Sequence, residues 1–217
     1  QFREIRSMER DSLAALEETQ LVARGSDYIE SIARVFEARY YIVIFVAASA
    51  AYGAERGGVL LGIVLGVIAF AGSTLVIKPE PLSRSVEVEP AQVNFKGADL
   101  YVGDMFIMNV GLEESRKSIL EHGIGAILTP KTETARDTLA NLGQRQAILH
   151  DVAGILGVKK DIDTPEYTPM ATRNIQTGRV GIFIVPEERD AGLLINIIKR
   201  TPVLESARGR SLYHKLS

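Results

Sequence analysis

Cysteine is missing from the 217-residue chain. Disulfides, thiolate metal sites, iron–sulfur clusters and cysteine nucleophiles are thereby excluded within it, and the absence suits a cytoplasmic domain. A basic excess is missing as well. From Lys78 to Ser217, 18 Lys and Arg face 18 Asp and Glu, whereas a nucleic-acid-binding surface carries a positive footprint, so no nucleic-acid partner is expected. His122, His150 and His214 are scattered and form no metal motif, so no metal is expected. No cofactor is expected either. "GLEESRK", "ILGVKK" and "IQTGRVG" lack the glycine–lysine–hydroxyl spacing of a phosphate loop, and no G-x-G-x-x-G follows a strand. "DID" at 161–163 lacks the glycine and distal glutamate of a calcium loop.

Charge is missing from one long stretch. Gly57 to Ile77 holds 21 residues without an ionisable side chain, and its only hydroxyls, Ser73 and Thr74, lie near the end. At about 1.5 Å per residue such a helix covers roughly 30 Å, the hydrocarbon thickness of a bilayer. Lys78 and Pro79 end it. Upstream, Tyr40 to Ala54 is also uncharged, with Tyr40, Tyr41 and Tyr52 near its ends, as in aromatic belts. Gly58, Gly62 and Gly66 recur every fourth residue, and Ala47 and Ala51 do the same upstream. Small residues on one face let helices approach closely in lipid. The pattern predicts a two-helix transmembrane hairpin over 39–78. A buried hairpin in a soluble protein is the competing reading, but a chain this short rarely hides so long an uncharged run. The internal position disfavours a signal peptide. Arg24, Arg34 and Arg39 precede the first span and Lys78, Arg84 and Lys96 follow the second, while the turn holds only Arg56, offset by Glu55. The expected location is therefore the membrane, with two spans and both termini cytoplasmic. Because the chain starts at Gln1, it is compatible with a longer leader upstream.

Residues 1–38 contain no proline and are rich in helix formers. They predict a charged amphipathic arm broken at Gly25-Ser26-Asp27. Its second helix places Ile29, Ile32, Ala33 and Phe36 on one face. Its slightly acidic balance favours a helix–helix contact over a lipid surface. A linker and first strand, with Val86 and Val88 alternating, occupy 79–98.

Over 99–205 short apolar runs alternate with helical stretches: "MFIMNV", "IGAILTP", "QAIL" and "VGIFIVP" each precede a helix-like segment. That alternation predicts a cytoplasmic α/β domain with a largely parallel sheet. "IGAILTPKTETARDTLANLGQRQAIL" and "VGIFIVPEERDAGLLINIIKRTPVL" align, with glycine second and proline at the strand exit. A duplication is one reading, and the ordinary placement of proline at a first helical position is the favoured one. The basic tail, 206–217, reads as a solvated end or as a contact for anionic headgroups.

In a parallel sheet, ligands bind at the carboxyl ends of strands. Glu113 and Glu114, and Glu187, Glu188 and Asp190, sit at helix starts where acids complement the dipole and repel phosphate. Thr129, Lys131, Thr132 and Thr134 form the one strand exit that offers a cation plus hydroxyls. They are the ligand-binding candidates for an anion or nucleotide, with helix capping by Thr129 as the alternative. His150-Asp151, placed at the end of the "QAIL" strand, is the only candidate catalytic pair. No nucleophile elbow accompanies it, and Asp151 also suits a cap. His122 suits a helix C-terminus. The loop 159–179, carrying Asp161, Asp163, Glu166, Tyr167, Arg173 and Asn174, reads as a contact loop.

No ionisable group lies inside either expected span, which argues against ion translocation. The expectation is a non-catalytic membrane subunit or scaffold. It packs in lipid as a homo-oligomer or with other membrane-complex subunits and holds cytoplasmic partners through its α/β domain. A membrane-tethered anion sensor acting through Lys131 and an enzyme using His150 are the alternatives.

Overall fold

The computed structural model describes residues 25–76, 80–159 and 168–208. The arm before Gly25, Lys78 and Pro79, the acids Asp161, Asp163 and Glu166 with Tyr167, and Arg210, His214 and Lys215 lie outside the described residues. The described residues form two units, one over 29–76 and one over 25–28 with 80–208.

The first unit consists of α1 (Ser26–Val76) apart from its first residues, 26–28, and its two helical arms meet at non-helical backbone at Gly57 and Gly58. The sequence predicts two membrane helices here. The described residues instead hold one helix long and apolar enough to cross a membrane, Arg39–Thr74. The reason lies in the backbone. Helical geometry continues through Glu55 and Arg56, and only Gly57 and Gly58 leave it, so two helical arms join directly there without the turn expected around Arg56. Gly58, at φ 78° and ψ 179°, occupies a region essentially restricted to glycine, and it sets the kink.

Among the described residues the second unit contains seven strands: β1 (Val86–Ala91), β2 (Val93–Lys96), β3 (Asp99–Val102), β4 (Met105–Asn109), β5 (Ile124–Pro130), β6 (Met170–Arg173) and β7 (Val180–Ile184). Its helices are α2 (Glu113–His122), α3 (Glu133–Ala140), α4 (Leu142–Leu156) and α5 (Ala191–Arg200). A four-stranded sheet has the order β1-β5-β7-β6, and a three-stranded sheet has the order β2-β3-β4. Every pairing is antiparallel. The largely parallel sheet expected from the alternating pattern is therefore corrected. Two causes produce the difference. "QAIL" is not a strand but the middle of α4, because α3 and α4 follow one another with only Asn141 between them. The edge strand β6 then hairpins directly into β7 and reverses its direction. Within the stretch read as linker and first strand lie β1 and β2, and 93–109 forms a meander closed by Gly97-Ala98 and Gly103-Asp104. Gly97 and Gly103 have positive φ, as two-residue hairpin turns require.

The four-stranded sheet is buried on both faces, with alternate residues assigned to different cores. Ala126, Leu128, Val180 and Ile182 pack with Leu139, Ile148, Val152, Leu194 and Ile198 from the helices. Ile127, Phe183 and Val185 pack instead with Leu100, Val102, Met105 and Ile107 of the small sheet and Ile119 of α2. The two glycines noted in the aligned stretches both face this second core. A Cβ on Gly125 would lie 2.6 Å from Val102 Cγ1, and one on Gly181 would lie 3.1 Å from Ile107 Cδ1. The two stretches are also antiparallel neighbours, with Gly125 opposite Phe183 and Gly181 opposite Ile127, so their likeness corresponds to matched positions about a local twofold.

Chain entry and exit of this unit are tied together. Leu82 N donates to Thr201 O at 3.0 Å and Val203 N to Glu80 O at 2.8 Å. The fully buried Gln144 completes the tie: its Nε2 donates to Pro202 O at 3.1 Å, and its Oε1 accepts from Leu204 N at 2.8 Å.

Candidate functional site

Among the described residues most of the exposed large apolar side chains belong to α1. Val59 and Leu60 are 75% and 77% exposed, and Phe45, Ile63, Val67, Ile68 and Phe70 are exposed too. Only 11% of its most apolar 18-residue window is buried, the reverse of a soluble core helix, whose apolar face is covered. Its hydroxyls are satisfied within the helix: Ser49 Oγ donates to Phe45 O, Ser73 Oγ to Ala69 O, each at 2.7 Å, and Thr74 Oγ1 to Ala71 O at 2.8 Å. Internal satisfaction of this kind is what an apolar solvent demands. At the kink, the Arg56 guanidinium lies over the Tyr52 ring, 5.2 Å from its centroid.

The two arms of the kinked helix meet through small residues. A Cβ on Gly62 would lie 2.8 Å from Ala50 O and 2.9 Å from Ala54 Cβ, and one on Gly53 would lie 2.9 Å from Gly62 Cα. A Cβ on Gly66 would lie 3.2 Å from Ala50 Cβ. Of the packing residues expected from sequence, Gly62 and Gly66 are in the contact. Gly58 is at the kink, where an added Cβ would meet open space. Ala47 and Ala51 are exposed. The working stripe on the first arm is Ala50, Gly53 and Ala54, one step round the helix from the expected one. The i, i+3, i+4 spacing of these small residues was the available signal. Beside the contact runs an apolar groove of about 570 Å³, lined by Ala54, Ile63, Val67 and Phe70 among others.

In the second unit the expected ligand site is used up locally. Thr132, not Thr129, caps α3: its Oγ1 accepts from Ala135 N at 3.1 Å. Thr129 and Pro130 remain in β5, and Thr134 O accepts from Thr138 Oγ1 at 3.0 Å. Lys131 Nζ donates to Ser83 O at 3.1 Å and Lys131 N to Ser85 O at 3.1 Å, so this lysine clamps the segment before β1. With antiparallel strands there is also no common carboxyl edge at which ligands would gather. His150 and Asp151 sit in mid-α4, not at a strand end. The His150 ring is 6.2 Å from that of Tyr28, and Asp151 Oδ2 accepts from Thr201 Oγ1 at 2.9 Å, so Asp151 does not cap a helix. His122 does end α2, and Glu113, Glu114 and Asp190 stand at helix starts, with Asp190 Oδ1 accepting from Leu193 N at 2.8 Å. Among the described residues no group of His, Asp and Glu is arranged to hold a metal ion. The expected contact loop is partly strand: 170–173 is β6, and Asn174 Oδ1 accepts from Gln176 N and Thr177 N to turn the chain into β7.

Arginines carry the polar features that motif reading missed. Arg179 forks onto Asp104, with Nη1 to Oδ2 at 2.8 Å and Nη2 to Oδ1 at 3.1 Å, joining β7 to the β3–β4 turn. These hydrogen bonds hold the Asp104 carboxyl below the usual carboxylate range. Arg145 Nη1 donates to Leu139 O at 2.8 Å and Ala140 O at 2.7 Å, closing the end of α3. Burial, and secondarily the charge of Arg173, pull the Arg145 guanidinium below its ordinary value. Arg173 Nε is buried without a hydrogen-bond partner. A cavity of about 630 Å³ beside the start of α5 is lined by Gln92, Gly123, Arg189 and neighbouring backbone, and Arg189 Nη1 donates to Glu121 O at 3.0 Å.

The start of α1 reads Tyr28-Ile29-Glu30-Ser31-Ile32-Ala33. Tyr28 packs on Ala147, Leu204 and Ala207, and Ile29 and Ala33 are buried. The sequence profile of the YIEGIA protein family matches residues 1–214. The chain belongs to the YIEGIA family. Its own hexapeptide spells the family name with Ser31 in place of glycine. Within this family's neighbourhood, Uncharacterized protein YphB of Bacillus subtilis (strain 168) is 41% identical over 207 residues, covering 95% of this chain and 70% of YphB. No solved structure matches the chain.

Proposed function

We propose that this YIEGIA-family chain is a membrane-anchored, non-catalytic subunit or scaffold. Its kinked apolar helix sits in lipid, and its α/β unit holds partners on the cytoplasmic side. The observation that carries the reading is the exposure of α1, only 11% buried over its most apolar window. Covering that surface with water would be costly at about 25 cal/mol per Å² of apolar area. Each arm of the kinked helix covers roughly 25 Å at about 1.5 Å per residue, near the hydrocarbon thickness of a bilayer. Tyr40, Tyr41 and Tyr52 fall near the ends, where aromatic side chains favour the interface. The exposed Phe and Val positions outside the Ala50–Gly62 contact offer a face to a second copy or to other membrane subunits.

Membrane fractionation with alkaline carbonate extraction tests the anchor. The chain is expected to stay in the pellet, and Ile63→Lys combined with Val67→Lys is expected to release it or deplete it from membranes. An unsubstituted chain that is fully extracted by carbonate overturns the reading. The mass and composition of the particle released by a mild detergent then distinguish a homo-oligomer from a complex with other subunits.

A further inference from the structure

We infer that the cavity between the β1–β2 corner and the start of α5 binds a small ligand that joins a carboxylate to a short apolar group, with Arg189 holding the carboxylate. The site lies within the α/β unit, and the inference is independent of membrane anchoring. The cavity measures about 630 Å³, and Ala91, Val93, Gly123, Ile124, Arg189 and Ala191 are among its walls. Strand pairing explains why it is open. Strand β1 stays beside β5 as far as Ala91, which lies opposite Gly125. Gln92 then leaves the ladder: its carbonyl accepts from Gly103 N at 2.8 Å, and Val93 starts β2 of the other sheet. The place of a neighbouring strand beside Gly123 and Ile124 is thereby left vacant.

The local twofold that relates β5 to β7 supplies a closed counterpart. Ile124 at the entry of β5 pairs with Ile184, just before α5, and Val180 at the entry of β7 pairs with Leu128, just before α3. The outer neighbours correspond too. Strand β1 ends with Ala91 at Gly125, and β6 ends with Arg173 at Val180. At the α3 end the chain fills the space itself, because β6 turns straight back into β7. Arg136 of α3 holds that turn, its Nη2 donating to Ile175 O at 3.0 Å and Gln176 O at 2.7 Å. A Cβ on Gly178, in the same turn, would lie 2.6 Å from Arg136 Cγ, so turn and arginine are in close contact. At the α5 end β1 departs into the small sheet and no turn takes this place. Arg189 stands there with Nη1 donating to Glu121 O at 3.0 Å and with no carboxylate partner among the described residues. Its remaining N–H groups are left for a ligand.

The walls set the ligand class. Apart from Gln92 and Arg189 they consist of glycine and apolar residues, which suit an apolar body. Arg189 brings their only charge, and a guanidinium matches a carboxylate through paired N–H groups. The nearby Asp190 carboxylate is engaged by Leu193 N at 2.8 Å, and Glu187 and Glu188 are not among the walls. A carboxylate beside an apolar group arrives either as a free acid or as the C-terminus of a peptide.

The test uses the full chain in detergent, with calorimetry and backbone amide shifts. The probes are N-acetylvaline, its uncharged amide, and the tripeptide acetyl-alanyl-alanyl-valine. N-acetylvaline is expected to bind saturably with shift changes centred on Gly123, Gly125 and Ala191, and the amide to bind roughly tenfold more weakly, as for loss of a charged hydrogen bond. Tighter binding of the tripeptide assigns the site to a chain terminus, and equal or weaker binding assigns it to a free acid. Arg189→Gln is expected to bring the acid down to the level of the amide, and the exposed Arg84→Gln to change nothing. Ala191→Leu, at an exposed helical position on the cavity wall, should block both probes without lowering the unfolding temperature. Acid and amide acting alike, shift changes centred elsewhere, or Arg189→Gln binding the acid as tightly as the parent would each overturn the proposal.

Discussion

Replacing Gly62 and Gly72 by alanine, one at a time, makes the packing of the kinked helix measurable. Both glycines lie on the arm after the kink, so each substitution gains helix propensity, about 1 kcal/mol over glycine. Their surroundings differ. At Gly72 an added Cβ meets nothing within 4 Å, whereas at Gly62 it meets Ala50 O at 2.8 Å and Ala54 Cβ at 2.9 Å. The carbonyl oxygen belongs to the backbone of the other arm and cannot rotate away, so relief requires the arms to separate. Overpacking of this kind costs roughly 1–3 kcal/mol. Gly72→Ala should therefore stabilise the helix, and Gly62→Ala should fall below it by that amount. Because the chain has no cysteine, a spin-label pair can be placed through Ile44→Cys and Ile68→Cys, which are exposed on the two arms. Gly62→Ala should broaden and lengthen their distance distribution in micelles, and unfolding in graded SDS mixtures should give the energy difference. If Gly62→Ala stabilises as much as Gly72→Ala and leaves the distances unchanged, the close contact of the arms is refuted.

Three further outcomes follow from the geometry. Gly58→Ala finds open space for its methyl group but inherits φ 78° and ψ 179°, so it should cost on the order of 1–3 kcal/mol and shift the same spin-label distances. Gln144→Leu leaves the Leu204 N–H and the Pro202 carbonyl without their buried partner. The loss should be about 2–4 kcal/mol, read by thermal unfolding together with faster amide exchange at Leu204. Asp104→Asn probes pH: the native carboxyl is held below its unfolded value, so its contribution is present above about pH 4 and is lost as pH falls through the lower folded value. The stability difference between parent and Asp104→Asn should accordingly be visible at neutral pH and vanish in acid. It should be small throughout, because the carboxylate is largely in solvent.

Several features were legible in the residues because their causes are local. The uncharged runs 40–54 and 57–77 mark the apolar stretch of α1, since a helical stretch that long without charge carries its solvent preference in its composition. Asp190 marks the start of α5, and His122 marks the end of α2, since both interact with backbone groups within one turn. The runs around Met105, Ile124 and Val180 read as strands, because β-branched and apolar runs suit a sheet wherever it lies. The site residues were harder. Lys131 and Thr132 satisfy a capping description and a phosphate description equally, and only the position of the Ser83 carbonyl, 48 residues away in sequence, decides what the lysine does.

Sequence alone located the apolar stretch of α1 and the strands β1, β4, β5 and β7, because those depend on neighbours within about one turn or one strand. Tertiary structure decided strand direction, the face on which the helix arms meet, and the partner of Lys131. Strand β6 runs in the direction of β5, and the reversal from β6 into β7 sets β7 antiparallel between them. The small residues that matter in α1 are those the Gly58 kink turns toward each other. Lys131 reaches the Ser83 carbonyl because β5 pairs with β1. Each of these outcomes rests on contacts between residues far apart in the chain, and the local pattern carries no record of them.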